Sequence, residues 1–347
     1  MTTEADTKRR SVVNEWFPVA AARDVVPGTA LPFELLDARY LLLCDGDGLV
    51  SVVPDTCPHR GAQLSLGSFD GQEVTCPYHG WRFDVGGRCV AQPAHPDRTP
   101  PEAARLPTFV TQKAYDLWWT CLGHAPRDLP NYPAFERFPG QSTLCEARTV
   151  AAAGPRLIEN FLDLAHLPFV HEGSLGADTH ADVVDHNVVI GDDELAATDC
   201  HFWQPQPGPT EGDGTWVTYS FAVSHPFAAR LQKVPRSEAG SSDEPTPADK
   251  SASFDILLAV SPESEARCRV WMLTTAHAAD ADLDAFNEFG AFIFDQDVPV
   301  VESQRPVLLP LDPKAEVHQR ADRLSLAYRR WLIDRGTGYG TIVGATP

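Results

Sequence analysis

The sequence predicts an α+β fold in two domains. The first is all-β, and the second is a larger antiparallel sheet bracketed by helices. Three observations carry this expectation. From about Trp16 to Gly123 the chain runs in short β-rich stretches punctuated by Gly, Asp and Pro. Residues 124 to 141 hold four prolines and no hydrophobic period, the composition of a connection. Beyond them, helix-like segments enclose several apolar runs of strand length.

The elements follow in order. Residues 1–13 read as a flexible tail, 14–125 as the first domain and 126–347 as the second. In the first, "RYLLLC" and "LVSVV" form a hairpin across "DGDG", and "WRFDVGGRCV" forms another around Gly86-Gly87. "YDLWWTCLG" is a buried strand. In the second domain, residues 156–171 form a helix-like segment. The strands are "ADVVDHNVVIG", "LAATDCHFW", "TWVTYSFAV", "SFDILLAV" and "RCRVWMLTTA". Residues 232–252 are polar and rich in Pro and Ser, so a mobile loop is expected there. Helices over about 281–304 and 316–335 close the chain.

Composition narrows the partners. Across 347 residues, 48 acidic against 28 basic side chains leave a formal charge of −20. That argues against nucleic acid or an anionic membrane as a bulk partner. No apolar run follows the basic residues of "MTTEADTKRR", and none approaches the roughly 18 residues of a membrane span. Six of the eight cysteines are scattered without disulfide spacing, so a reducing cytoplasm is the expected compartment.

The other two lie in "DTCPHRGAQLSLGSFDGQEVTCPYHGW", residues 55–81. Cys57-x-His59 and Cys76-x2-His79 present two thiolates and two imidazoles from loops beside predicted strands. Zinc would accept the same donors, but its finger signature usually places both Cys before both His. The alternating order suits a [2Fe-2S] cluster with two thiolates on one iron and two imidazoles on the other. Imidazoles in place of thiolates make such a cluster less negative and raise its potential.

A second constellation lies in "ENFLDLAHLPFVH", residues 159–171. Asn160, Asp163 and His166 recur every third residue and would share one face of a helix. On an ideal helix His166 and His171 would point about 140° apart. Pro168 is expected to distort that turn. Further on, "AFNEFGAFIFDQDVPVVESQRP" offers Asp295, Asp297 and Glu302. Helical phase puts Asp297 within about 60° of the apolar stripe of Phe286, Gly290, Ile293 and Val301. Asp295 and Glu302 project from the opposite face. A carboxylate on a buried stripe needs a partner, which a metal ion supplies, and Pro299 could shift the helix phase.

The "CPYHGW" loop resembles the Rieske domain of the Rieske non-haem iron oxygenases, and the 160–171 segment resembles the mononuclear-iron motif of the same family. "FDQDVPVVESQRP" and "ADRLSLAYRRWLIDRG" look like helices of its demethylating members, such as vanillate O-demethylase and the methylxanthine N-demethylases. The resemblance implies a Rieske cluster held by Cys57, His59, Cys76 and His79. It implies Fe(II) held by His166, His171 and Asp297. It makes Asp163 the link from His166 to His79 of a neighbouring subunit in a head-to-tail homotrimer. Asn160 either lines the iron pocket or bonds nearby backbone.

The activity implied is a terminal oxygenase that uses O2 and two external electrons to hydroxylate a small aromatic or heterocyclic compound, with O- or N-demethylation as one form. The alternatives are ring or alkyl hydroxylation and cis-dihydroxylation on the same iron chemistry. A catalytically inert Rieske electron carrier is a further one. No Gly-x-Gly-x2-Gly follows a strand and no plant-type ferredoxin run is present, so a separate NAD(P)H reductase, with or without a ferredoxin, is expected. Arg60, Arg82 and Arg88 flank the cluster loops, either as a dock for an acidic donor or as solvated loop residues. Aromatic walls for the substrate are expected from "CHFWQ", "WVTYSF" and "VWML", with Asn287 or Glu288 as a polar contact.

Overall fold

The computed structural model describes residues 3–209, 214–236 and 252–344. Its contacts divide the chain into two compact units. One is Val13–Asp128 with Ser261–Ser264, and the other comprises Met1–Val12, Leu129–Val260 and Glu265–Pro347.

The first unit is built of strands: β1 (Trp16–Ala21), β2 (Ala30–Leu35), β3 (Ala38–Cys44), β4 (Val50–Pro54), β5 (Ser68–Phe69), β6 (Glu73–Thr75), β7 (Arg82–Asp84), β8 (Cys89–Ala91), β9 (Val110–Ala114) and β10 (Leu117–Cys121). They form three antiparallel sheets, ordered β1-β10-β9, β2-β3-β4 and β5-β6-β7-β8. Leu41, Leu43, Val53, Leu64, Val74 and Phe83 fill the core, and Cys57 and Cys76 are buried in the same cluster.

The other unit opens with α1 (Glu4–Arg10), where a flexible tail was expected. Thr3 and Asp6 form a reciprocal capping box, with acidic residues in the first turn and basic ones in the last. Lys8 reaches Glu265 at 2.9 Å. Seven residues gain enough from caps and this pairing to order, although nothing apolar marks them in the sequence.

The short α2 (Pro133–Arg137) lies in the proline-rich connection. An eight-stranded antiparallel sheet follows: β11 (Ser142–Leu144), β12 (Arg148–Val150), β13 (Asn187–Ile190), β14 (Leu195–Gln204), β15 (Thr215–His225), β16 (Ala228–Arg236), β17 (Phe254–Ser264) and β18 (Arg267–Ala276). Its order is β11-β18-β17-β16-β15-β14-β13, with β12 also on β18. Strand β16 replaces the start of the expected 232–252 loop. Ala229, Leu231 and Lys233 point to its buried face and Arg230 and Gln232 do not, a period of two that Lys233 disguises. Residues 237–251 of that expected loop lie outside the described residues.

The helices are α3 (Gly154–Leu162), α4 (Leu167–Val170), α5 (Leu283–Ser303) and α6 (Arg323–Asp334). A buried ionic group ties α3 to α6: Arg329 donates to Glu159 and to Glu316, and Arg156 reaches both carboxylates. Burial pushes the Glu159 carboxyl up despite both guanidinium groups. Among the described residues no helix is long and apolar enough to cross a membrane.

Candidate active site

The two Cys-His couples occupy the loops between β4 and β5 and between β6 and β7, and the two loops are the same turn made twice. Cys57 N–H donates to the Ala62 carbonyl at 2.8 Å, and Gly61 N–H to the Cys57 carbonyl at 2.9 Å. Cys76 N–H donates to the Trp81 carbonyl at 2.8 Å, and Gly80 N–H to the Cys76 carbonyl at 3.0 Å. Gly61 and Gly80 have φ of +71° and +69°. A side chain at such a φ costs about 1–2 kcal/mol, so each loop needs glycine four residues after its cysteine.

The ligands sort by depth. Both thiols are buried and both imidazoles exposed. The rings of His59 and His79 lie 4.6 Å apart, and Trp81 stacks flat on His59 at 4.5 Å. Burial, with Cys76 alongside, pushes the Cys57 thiol up to about 11; a bound metal would replace that proton. Thiol beside thiol inside and imidazole beside imidazole outside is the pairing a Rieske cluster needs. Of the three arginines, Arg82 pairs with Glu73 at 3.1 Å and Arg88 with Asp84 at 3.2 Å, so two are neutralised by their own hairpins.

The 156–171 segment is not one helix. Helix α3 stops at Leu162 because Asp163 turns extended, with ψ of 131°, and its Oδ1 accepts the Ala165 N–H at 2.9 Å. His166 then caps α4, with Pro168 at the start of that helix. Pro168 therefore begins a new turn and does not bend an old one, as its fixed φ and missing N–H favour. The break swings both imidazoles to one point.

At that point His166 Nε2 and His171 Nε2 are 3.2 Å apart. Asp297 Oδ1 lies 3.5 Å from the first and 3.2 Å from the second. The outer nitrogens face polar groups of their own: His171 Nδ1 donates to Gln296 Oε1 at 2.7 Å, and His166 Nδ1, without a hydrogen bond, has the Asp163 carboxylate 3.4 Å away at Oδ2. These groups place the ring protons outside and leave two lone pairs and a carboxylate oxygen facing one another. Three acceptors converging in a largely buried site can hold a cation, and the three atoms lie within 4.8 Å of one another. Burial alone would lower the His166 pKa, but Asp163 and Asp297 raise it above the ordinary value. Burial pushes the Asp163 carboxyl up, and His166 with neighbouring backbone N–H groups outweighs that and lowers it. The donor set fits iron with coordination positions left open.

Helix α5 runs through Pro299 to Ser303 and keeps Asp297 on its inward face with Val301. Asn160 Nδ2 donates to Asp297 Oδ1 at 3.3 Å, so its side chain serves the carboxylate and not the backbone. The other two carboxylates are spoken for elsewhere: Asp295 pairs with Arg148, and Glu302 accepts the Ala151 N–H.

A cavity of about 860 Å³, mouth included, opens over the three acceptors. Its helical wall is Phe286, Phe289, Gly290, Ile293 and Phe294, one stripe of α5. Its sheet wall draws on Tyr219 and Phe221 of β15, Ile256 and Leu258 of β17, and Met272 of β18. A Cβ at Gly290 would meet Met272 Cε at 2.8 Å, so the flexible end of that side chain would have to move to admit one.

The expected "CHFWQ" wall is absent from this lining, as are Asn287 and Glu288, which fall off the α5 stripe. Two residues that sequence reasoning passed over do serve the site. Gln296 holds His171, its only signal being its place beside Asp297. Lys233 lines the cavity from β16, hidden in a segment that read as loop.

Residues 15–112 match the Rieske [2Fe-2S] domain, and residues 150–335 match the vanillate O-demethylase oxygenase C-terminal domain. The chain is 34% identical over 245 residues to the probable methylxanthine N7-demethylase NdmC of Pseudomonas sp. (strain TJI-51), spanning 68% of this chain and 80% of that protein. Identity to the methylxanthine N1-demethylase NdmA of Pseudomonas putida is 28% over 327 residues, spanning 91% of this chain and 87% of the relative. The solved structure of Pseudomonas putida CBB5 NdmA with caffeine superposes with a TM-score of 0.78 at 25% identity, over 94% of this chain and 92% of that one.

Proposed function

The chain belongs to the Rieske non-haem iron oxygenases of the vanillate O-demethylase type, and from that premise we propose that it is a terminal oxygenase that removes a methyl group from O or N of a small aromatic or heterocyclic compound. Its cofactors are a Rieske [2Fe-2S] cluster and a mononuclear iron. In this reading Cys57, His59, Cys76 and His79 hold the cluster, and His166, His171 and Asp297 hold the iron. Bound there, the iron would activate O2 with electrons that reach it by way of the cluster.

The protein's own groups prepare the site. Gln296 and Asp163 fix the two imidazole rings, and Asn160 fixes the carboxylate. The aromatic walls place the substrate's methyl group toward the three ligands and keep water from them. Hydroxylation of that methyl gives a hemiacetal or hemiaminal. This loses formaldehyde and leaves the O–H or N–H product, with the second oxygen atom leaving as water after uptake of two electrons and two protons.

Electrons come from a separate NAD(P)H reductase, directly or through a ferredoxin. Subunits form a head-to-tail ring in which Asp163 receives His79 of a neighbouring copy. The supporting observation is surface character: His79 is exposed beside an exposed Tyr78, and Asp163 is partly open with an exposed Phe169 nearby in sequence. Exposed aromatics beside polar groups suit a subunit interface.

The single observation that carries the reading is the convergence of His166, His171 and Asp297 at the floor of an apolar cavity. The test is reconstitution with a surrogate reductase, NADH and O2 on methoxy- and N-methyl-aromatic compounds. Formaldehyde equal to NADH consumed is the expected result. An oxygenated product without formaldehyde would move the enzyme to ring or alkyl hydroxylation.

A further inference from the structure

The cavity wall contains one group that the chemistry above does not use. Lys233 is 1% exposed in the middle of β16, and its directly opposed neighbours are Tyr219 on β15 and Phe254 on β17. Its Nζ lies 5.4 Å from the centroid of each ring. Among the described residues no carboxylate pairs with it and no acceptor takes its protons. Setting aside His166 and His171, it is the only basic side chain among the described residues that line the cavity.

We propose that Lys233 is a specificity-determining residue that pairs with the carboxylate of a small aromatic acid, so that the substrate brings the counter-charge this wall lacks. The inference rests on the reading of this cavity as the substrate site. A buried ammonium without a partner is costly, and evolution usually neutralises it or supplies an anion. Here the two ring faces hold the ammonium by cation–π attraction without cancelling its charge. Of the other polar groups of the lining, Asn160 donates to Asp297, and the Tyr219 hydroxyl accepts from Gln204 Nε2 at 2.8 Å. Burial also pushes the Lys233 pKa well down. An incoming carboxylate reverses that shift, so that the amine is held as the ammonium once the acid is bound.

The sheet register makes the placement specific. Leu231 and Lys233 face the cavity two residues apart, while Phe221 lies beside Tyr219 on the next strand and Ile256 beside Phe254 on the other. The cation therefore stands at one point on an otherwise apolar sheet wall. A flat aromatic ring fits between that wall and the α5 phenylalanines, with its acid group anchored at Lys233.

The experiment is calorimetric titration of the metal-loaded protein with 3- and 4-methoxybenzoate and with the two matching methoxybenzamides. The wild type should bind the acids at least about 30-fold more tightly than the amides. Lys233→Met, of similar volume, should lose about that factor for the acids and no more than about twofold for the amides. Lys233→Gln serves as a second variant, and unfolding midpoints and iron content show that each has folded. Equal binding of acid and amide, acid binding untouched in the variants, or no binding of either class to the wild type would overturn the proposal. Binding is read without turnover, so the two readings fail separately. An acid held through Lys233 that yields no formaldehyde removes the demethylation and leaves this inference standing. Formaldehyde from the amides at a rate indifferent to Lys233 does the reverse.

Discussion

The two candidate metal centres are built in opposite ways. The four proposed cluster ligands fall between Cys57 and His79, on two loops with the same hydrogen bonds and the same left-handed glycine. The proposed iron ligands span residues 166 to 297, and they meet only because a broken helix, an eight-stranded sheet and α5 close on one point. A local site is specified by turn chemistry, whereas a distributed site depends on the packing of a whole unit. The first should tolerate damage to the second, and within the second each residue should be hard to replace.

The largest effect should come from the distributed site. Asp297→Ala should lose the mononuclear iron and all turnover while the visible spectrum of the cluster stays as in the wild type. Metal analysis beside that spectrum decides it, and loss of both centres together would break the contrast. Next comes Asp163→Asn, which keeps a ring partner for His166 but no charge. Both centres should remain occupied while turnover falls about 10- to 100-fold, and the reduced cluster should reoxidise slowly with substrate and O2 present. Normal turnover would remove Asp163 from the proposed route between subunits. The smallest effect belongs to the local site. Gly61→Ala should cost about 1–2 kcal/mol through its φ alone, because nothing lies within 4 Å of the added methyl. Gly80→Ala adds an approach to Pro93 at 3.0 Å and should cost more. Thermal bleaching of the cluster would rank the two, with iron content unchanged in both.

Legibility in the sequence follows the same division. The strands around the cluster loops could be read because turn residues and apolar alternation act over a few positions. Asp297 could be singled out because a carboxylate on an apolar helical stripe is conspicuous, and α5 keeps that phase through Pro299. The stop at Asp163 could not be read, because an i, i+3 spacing looks the same whether or not the backbone turns extended. Helix α1 was missed because its order comes from a capping box and from Glu265, far along the chain. Strand β16 was missed because Lys233 sits at a position where the period of two calls for an apolar residue.

By itself the sequence determined the residue types and short-range spacings: two Cys-His couples, an Asn-Asp-His-His segment and one inward carboxylate. Those are properties of neighbours along the chain. Only the tertiary structure decided that Gln296 holds His171, that Asn160 holds Asp297, and that a lone buried lysine faces the cavity between two rings. Strand register and helix packing set these relations. They join residues more than a hundred positions apart in the first two cases, and strands paired across the sheet in the third.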